Sequence, residues 1–292
     1  MKMYLDCYPC VLRHALDVAR RTTNDEHVQY DVMNKVVQEL ARIPRESTPP
    51  EITARVHRII KRATGNPDPY EQVKRLHNEI ALLLYPKLKK RIEASDNPLL
   101  MATKVAIAGN IMDSGASGGE FDLNATIEET LEADLTGECF HSFENEIMKV
   151  SNLLYLGDNA GEIVFDRILI EEIQERSQPK VTFIGKGEPI LNDATLEDAL
   201  FVGMDGIAEI ITNGYDAPAT ILDKASSDVT EVWKSSNLII AKGQGNYESL
   251  SDEKGNIFFL LKVKCPVVAR DIGWKVGENV LTRGKRQQGA RK

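Results

Sequence analysis

Short apolar runs, separated by helix-patterned stretches and ending in polar, glycine-bearing loops, constrain the second half of this chain more than any other feature. The runs are Asn152 to Leu156, Val181 to Ile184, Ile207 to Ile211, Leu238 to Ala241 and Phe258 to Val263. Between the first two, Ile163 to Ile173 repeats apolar residues at helical spacing. Strands alternating with helices are the signature of a parallel α/β sheet. In such an open sheet the loops that follow the strands lie along one edge, and ligands bind there.

Those loops carry the residues with chemistry to offer. Asp158, Asn159, Gly161 and Glu162 follow the first run, and Lys186-Gly187-Glu188-Pro189, with Asn192 and Asp193 close behind, follows the second. Asn213-Gly214-Tyr215-Asp216 follows the third, and Lys242-Gly243-Gln244-Gly245-Asn246 the fourth. The expected topology gathers Asp158, Asn159, Lys186, Asn192, Asp193, Asp216, Lys242 and Asn246 near one crevice. Taken singly, each has an ordinary explanation: Asp-Asn makes a turn and caps a helix, and a lysine is usually a solvated surface residue. Taken together, carboxylates and carboxamides suit a hard divalent cation such as Mg²⁺ or Mn²⁺. Lysines and glycine-flanked amides at helix starts suit an anion beside it. With no activated Ser, Cys or His in the set, it fits metal-assisted phosphoryl chemistry better than acyl transfer.

The first half reads as helical. Val11 to Arg21, Val28 to Ile43 (ended by Pro44), Ile52 to Ala63 and Tyr70 to Tyr85 (ended by Pro86) carry apolar residues on one face, and Lys87 to Ser95 is a charged continuation. Leu99 to Gly109, Leu123 to Glu132 and Phe140 to Val150 extend the pattern. We therefore expect a helical N-terminal region over 1–98, an α/β domain over 99–282 with a helical insertion near 123–150, and a basic tail over 283–292. A net charge of −8 argues against a general binder of nucleic acid or anionic membrane. No apolar run is long enough to span a bilayer, and Cys7 and Pro9 interrupt any signal-peptide core, so the expectation is a soluble cytoplasmic protein.

Asp158-Asn159-Ala-Gly-Glu162, Lys186-Gly-Glu-Pro-Ile-Leu-Asn192-Asp193-Ala-Thr and Lys242-Gly-Gln-Gly-Asn246-Tyr resemble the motifs of the metal-dependent damage-control phosphatases. Ala106-Ile-Ala-Gly-Asn110-Ile-Met-Asp113 and Cys7-Tyr-Pro-Cys10 resemble the smaller prokaryotic and archaeal branch of that family. The resemblance runs from Cys7 to about Gly277. It implies a helical region packed on a Rossmann-like, mostly parallel α/β sheet. It also implies hydrolysis of small phosphorylated metabolites, such as sugar phosphates or damaged cofactor-related phosphates. On this resemblance Asp158, Asn159 and Asp193 take the positions of the metal ligands, for Mn, Mg, Co or Ni. Lys242 matches the phosphate-side motif and joins Asp158 and Asp193 as a catalytic residue. Asn110, Lys186, Asn246 and Glu162 are expected on the substrate side. Either a metal-bound water or an aspartyl carboxylate is the nucleophile. The same crevice also suits a methyltransferase-like small-molecule transferase, or a non-enzymatic metal- or nucleotide-binding module.

Other motifs read more plainly. Cys7, Cys10 and His14 sit at i, i+3 and i+7, with Cys139 and His141 as remote partners for a metal; small buried cysteines are the first expectation, a metal or redox site the second. His57 and His77 are expected on helix surfaces or between helices, and Trp233 and Trp274 in packing. Gly115 to Gly119 lacks the Gly-Lys-Ser/Thr ending of a phosphate loop, and Gly243-x-Gly245 lacks the third glycine of a dinucleotide fingerprint.

Overall fold

A computed structural model of the chain describes residues 1–111, 123–133, 135 and 139–285. Asp113 and Gly115 to Gly119, singled out above, lie outside the described residues. Five helices come first: α1 (Cys7–Thr22), α2 (Glu26–Leu40), α3 (Pro49–Thr64), α4 (Glu71–Glu93) and α5 (Pro98–Ala108), followed by α6 (Leu123–Glu132) and α7 (Phe140–Ile147). Strands and helices then alternate: β1 (Asn152–Leu156), α8 (Glu162–Ser177), β2 (Lys180–Gly185), α9 (Leu196–Phe201), β3 (Glu209–Thr212), α10 (Ser227–Ser235), β4 (Leu238–Lys242), α11 (Gly243–Leu250), β5 (Ile257–Lys262), α12 (Pro266–Ile272) and β6 (Asn279–Arg283).

The sheet order is β3-β2-β1-β4-β5-β6. The first five strands pair in parallel, and β6 closes the sheet antiparallel to β5. From β1 the chain steps outward to β2 and β3, then returns to build β4 on the other side of β1. That reversal is the topological switch point, where loops diverge and leave a crevice. Alternation along the strands is strict. Tyr155, Phe183, Ile240 and Phe258 enter one apolar cluster, while Leu156, Ile184, Ile239 and Phe259 enter the other. α5 and α8 cover the first face, joined by Ala81, Leu88 and Ile92 of α4. A third cluster, around Val18, Val36, Ile52 and Ile60, knits α1, α2 and α3 together.

Three expectations about elements change. α4 runs through Pro86 instead of stopping there; Ala81, on one side of the proline, and Leu88 and Ile92, on the other, share one buried cluster, and that burial outweighs the lost amide. The third strand is shifted to Glu209–Thr212 because a 3₁₀ turn takes up Met204–Gly206. The sixth strand was not foreseen. Asn279–Arg283 is short and borders the charged tail, and its ladder with β5 supplies what its local pattern lacks.

Candidate active site

The loop that leaves β1 turns sharply so that α8 can start at Glu162. Gly161 sits at φ +79° and its amide donates to Asn78 Oδ1 of α4 at 2.6 Å; a Cβ there would lie 2.9 Å from the His77 carbonyl oxygen. Across the switch point, Gly243 at the start of α11 also has φ +79°, and a Cβ on it would stand 1.8 Å from Asp158 Oδ2. The absence of that atom lets the Asp158 carboxylate lie against the helix start. The third segment comes from the β2 side. Ala160 N donates to Asn192 O at 2.8 Å, Ala194 N donates to Asp158 O at 2.8 Å, and Asn159 and Asp193 form an antiparallel bridge. Backbone bonds thus bring Asp158, Asn159 and Asp193 together. They line a pocket of about 210 Å³ with Asn192, Gln244, Glu248 and Lys264.

Beneath the pocket lies a buried polar chain. Asn159 Nδ2 donates to Asp158 Oδ2 and to Glu162 Oε2, both at 2.9 Å, and Asn110 Nδ2 reaches Glu162 Oε2 at 3.2 Å. The Lys242 ammonium donates to Glu162 Oε1 at 2.6 Å, Asp166 Oδ1 at 2.6 Å and Ala106 O at 2.7 Å. Tyr155 OH also donates to Asp166 Oδ1, at 2.8 Å. Burial alone would neutralise Lys242, but Asp166 and Glu162 together hold it above the ordinary lysine range. Burial likewise pushes Asp166 up, against the pull of Lys242. With two carboxylates facing one ammonium, the ammonium stays charged.

The donor set suits a hard divalent cation. Both amide hydrogens of Asn159 are committed to carboxylates, which leaves its carbonyl oxygen as the ligand end. Burial, then the neighbouring Asp193 and Glu162, pushes Asp158 well above the usual carboxylate range, against Lys186 and Lys264. A cation beside Asp158 would relieve both its burial and its repulsion from Asp193. Among the described residues no three Cys, His, Asp or Glu side chains converge to hold an ion by themselves, so the set depends on the Asn159 carboxamide. Few protein ligands and oxygen donors alone fit an ion that keeps waters and takes phosphate oxygens.

The remaining predicted residues divide between pocket and framework. Lys186 is buried, donates to Gly157 O at 2.9 Å and pairs with Asp193 Oδ2 at 3.2 Å. Asn246 is buried and ties loops together, accepting from Thr220 N at 2.9 Å and donating to Lys242 O at 2.8 Å. Lys242 itself faces the interior, each of its three hydrogens matched by an acceptor. Asp216 is not gathered with the others: Arg58 Nε of α3 donates to its Oδ2 at 2.6 Å. Sequence reasoning missed Asp166, Glu248 and Lys264. Asp166 stands one helical turn beyond Glu162, a spacing that places both on one face of α8. Burial pushes Glu248 up to about 7, against its bond from Gln244. Nothing local marked Glu248 or Lys264.

The cysteines and histidines fall elsewhere. Cys7 is half-buried, but Cys10 is exposed, contrary to expectation. It lies at the first turn of α1, where that helix meets solvent. Partial desolvation pushes both thiols up, away from thiolate reactivity. Cys139 packs with the cluster on the opposite sheet face from Cys7, and the His141 side chain is largely exposed. His57 and His77 are both buried where a surface position was one expectation. His57 Nε2 lies 2.9 Å from His14 Nε2, between α3 and α1. Trp233 and Trp274 pack at the edge of the second cluster, as expected.

Residues 3–280 match the damage-control phosphatase ARMT1-like domain. The chain belongs to the damage-control phosphatase family. A family protein of Archaeoglobus fulgidus, named a damage-control phosphatase, is 37% identical over 96% of this chain and 98% of its own length. A Pyrococcus horikoshii damage-control phosphatase is 32% identical over 98% of this chain and 99% of its own. An uncharacterized protein of Methanocaldococcus jannaschii is 38% identical over 96% and 95%. The crystal structure of a DUF89 family protein from Pyrococcus horikoshii superposes with a TM-score of 0.91 at 32% identity, covering 98% of this chain and all of that one. These matches bear out the family resemblance and the mostly parallel α/β fold. Among the described residues no helix is long and apolar enough to cross a membrane.

Proposed function

We propose that this protein is a divalent-metal-dependent phosphatase that hydrolyses phosphate esters of small metabolites, sugar phosphates or damaged cofactor-related phosphates. One observation carries the reading: Asp158, Asn159 and Asp193 are locked side by side by backbone bonds at the switch point, lining a pocket beside a lysine. These three residues would hold Mn²⁺, Mg²⁺, Co²⁺ or Ni²⁺. When bound, such an ion polarises the phosphoryl group and lowers the pKa of a water beside it.

The chain's own residues supply the rest. Glu162 fixes the Asn159 carboxamide with its oxygen outward, and Lys242 and Asn110 fix Glu162. Lys186 sets Asp193. Because Lys242 is consumed by the interior, Lys264 is the lysine that meets the phosphoryl charge: it is exposed, lines the pocket, and its charge is felt at Asp158. Glu248, on the same wall and protonated near neutral pH, serves as the proton source for the leaving oxygen.

The deciding experiment screens metal-stripped protein against a panel of phosphate esters crossed with Mg²⁺, Mn²⁺, Co²⁺ and Ni²⁺. Phosphate release that needs a metal and no second substrate supports this reading over group transfer or a binding module. Asp193→Asn should lower metal affinity and turnover together. Full turnover without metal would remove the metal from the reading, and no release from any ester would remove the phosphatase.

A further inference from the structure

The segment after β2 carries an unexplained expense. Leu191 has φ +51°, a left-handed conformation that a branched, non-glycine residue adopts only under constraint. It occupies a tight turn closed by Asp193 N donating to Ile190 O at 3.1 Å. The next residue, Asn192, is 5% exposed, and its side-chain Nδ2 is buried with no hydrogen-bond partner among the described residues. Buried carboxamides are almost always satisfied, so an idle donor calls for a group that the protein does not itself provide. Asn192 lines the same pocket as Asp158, Asn159 and Asp193. Its position is rigid: the Asn192 carbonyl accepts from Ala160 N at 2.8 Å, and Ala194 N donates to Asp158 O at 2.8 Å.

We propose that Asn192 is a catalytic residue whose carboxamide donates to a non-bridging oxygen of the phosphoryl group, with the Leu191 turn as the device that holds it there. The proposal rests on the phosphatase reading for its substrate, and it adds a neutral donor to a pocket where the amide nitrogens of Asn159 and Gln244 already donate to carboxylates. A carboxylate at this position would repel phosphate. A lysine would pair with Asp158 or Asp193 and compete with a cation. A carboxamide does neither, and it offers a directed hydrogen bond to an oxygen that gains charge as the ester bond breaks. Strain in Leu191 then has a purpose: with the backbone of 192–194 committed to the 158–160 loop, only an unusual turn delivers the side chain to the pocket.

The test uses the full-length protein loaded with Mn²⁺ and the variants Asn192→Ala and Asn192→Asp. Three quantities are read: phosphate release, Mn²⁺ affinity by calorimetry, and affinity of the Mn²⁺-loaded protein for inorganic phosphate. Asn192→Ala should lower kcat by about a hundredfold and weaken inorganic phosphate at least tenfold, with Mn²⁺ affinity within about twofold of wild type. Its thermal midpoint should not fall, because no protein hydrogen bond is lost; a framework role would lower it. Asn192→Asp keeps the shape but removes the donor, so it should lose as much turnover as the alanine. Wild-type kcat and phosphate affinity in Asn192→Ala would overturn the proposal, as would a lost midpoint with unchanged kcat. If the wild type releases phosphate from no ester yet binds inorganic phosphate through Asn192, the phosphatase reading fails and the donor stands. If the wild type does neither, both fail.

Discussion

The Lys242 ammonium lies 2.6 Å from Glu162 Oε1, and both side chains are wholly buried beneath the pocket floor. On the proposed reading the pair therefore acts as a support for Asn159. Lys242→Ala would leave Glu162 and Asp166 buried without a counter-charge, at a cost of about 3–5 kcal/mol. Stability and Mn²⁺ affinity should fall together, measured by urea unfolding and calorimetry. A folded variant that binds Mn²⁺ like wild type and loses only turnover would place Lys242 at the phosphate after all.

Lys264 makes the opposite prediction. Its removal strips a positive charge from beside Asp158 and leaves the Lys242–Glu162 pair in place, so Lys264→Ala should keep the fold and should not weaken Mn²⁺ binding. Turnover should drop by roughly two to three orders of magnitude if its ammonium meets the transferring oxygens. Steady-state phosphate release at saturating Mn²⁺ reads this directly, and a loss under threefold would discard the assignment.

Gly243→Ala tests the contact between α11 and Asp158. The new methyl would stand 1.8 Å from Asp158 Oδ2 in a left-handed backbone, so the carboxylate must move. Strain of about 1–3 kcal/mol is expected, with metal affinity lowered more than stability alone explains. Unchanged Mn²⁺ affinity would show that the close approach has no bearing on the ion.

Glu248 sets a pH dependence. Burial raises its carboxyl to about 7, so the proton it offers is present below that pH and lost above it. Wild-type turnover should decline on the alkaline side of about pH 7. Glu248→Gln, which carries no transferable proton, should be slower at pH 6 by about a hundredfold and approach the wild type above pH 8. Parallel profiles for the two proteins would exclude Glu248 as the proton source.

The His14–His57 contact gives a stability test. Burial, with His14 and Lys61 nearby, pushes His57 down to about 3, so the folded protein keeps it neutral while the unfolded chain protonates it near 6.5. The unfolded state binds the extra proton, so stability falls as pH drops below 6.5 toward 3, by up to about 1.4 kcal/mol per pH unit. Urea unfolding at pH 7 and pH 5 should show wild type losing ground to His57→Gln. A difference between the two that does not change with pH would show that His57 is not buried neutral.

The sheet, its loops and the grouping of Asp158, Asn159 and Asp193 were legible because they rest on local pattern. Apolar runs of strand length alternate with helices, and the polar residues that follow each run must land on one edge. What could not be read was direction at the side-chain level. Lys186 and Lys242 both end strands beside glycines, yet a lysine's long stem permits either face, and both turn inward to buried carboxylates. Asp216 stood at the right edge but had a remote partner in Arg58. Lys264 gave no local sign because its place depends on how β5 and α12 meet the β1 loop. The helix through Pro86 and the strand at Asn279–Arg283 both owe their existence to packing partners distant in sequence.

The pocket draws on two sources with separate histories in the chain. Its floor is made by short loops of the sheet, braced from below by α4 and α8 and so crowded that even a methyl group at Gly161 or Gly243 collides. Its wall takes Pro50 and Thr53 from α3, Pro218 from a loop beyond β3, and Lys264 from the turn after β5. Among the described residues, Pro50, Thr53 and Pro218 make no hydrogen bond into the Asp158–Glu162–Lys242 chain, and Lys264 acts on Asp158 through its charge. On the proposed reading, substitution in the wall would change which molecule is admitted while the floor keeps its reaction.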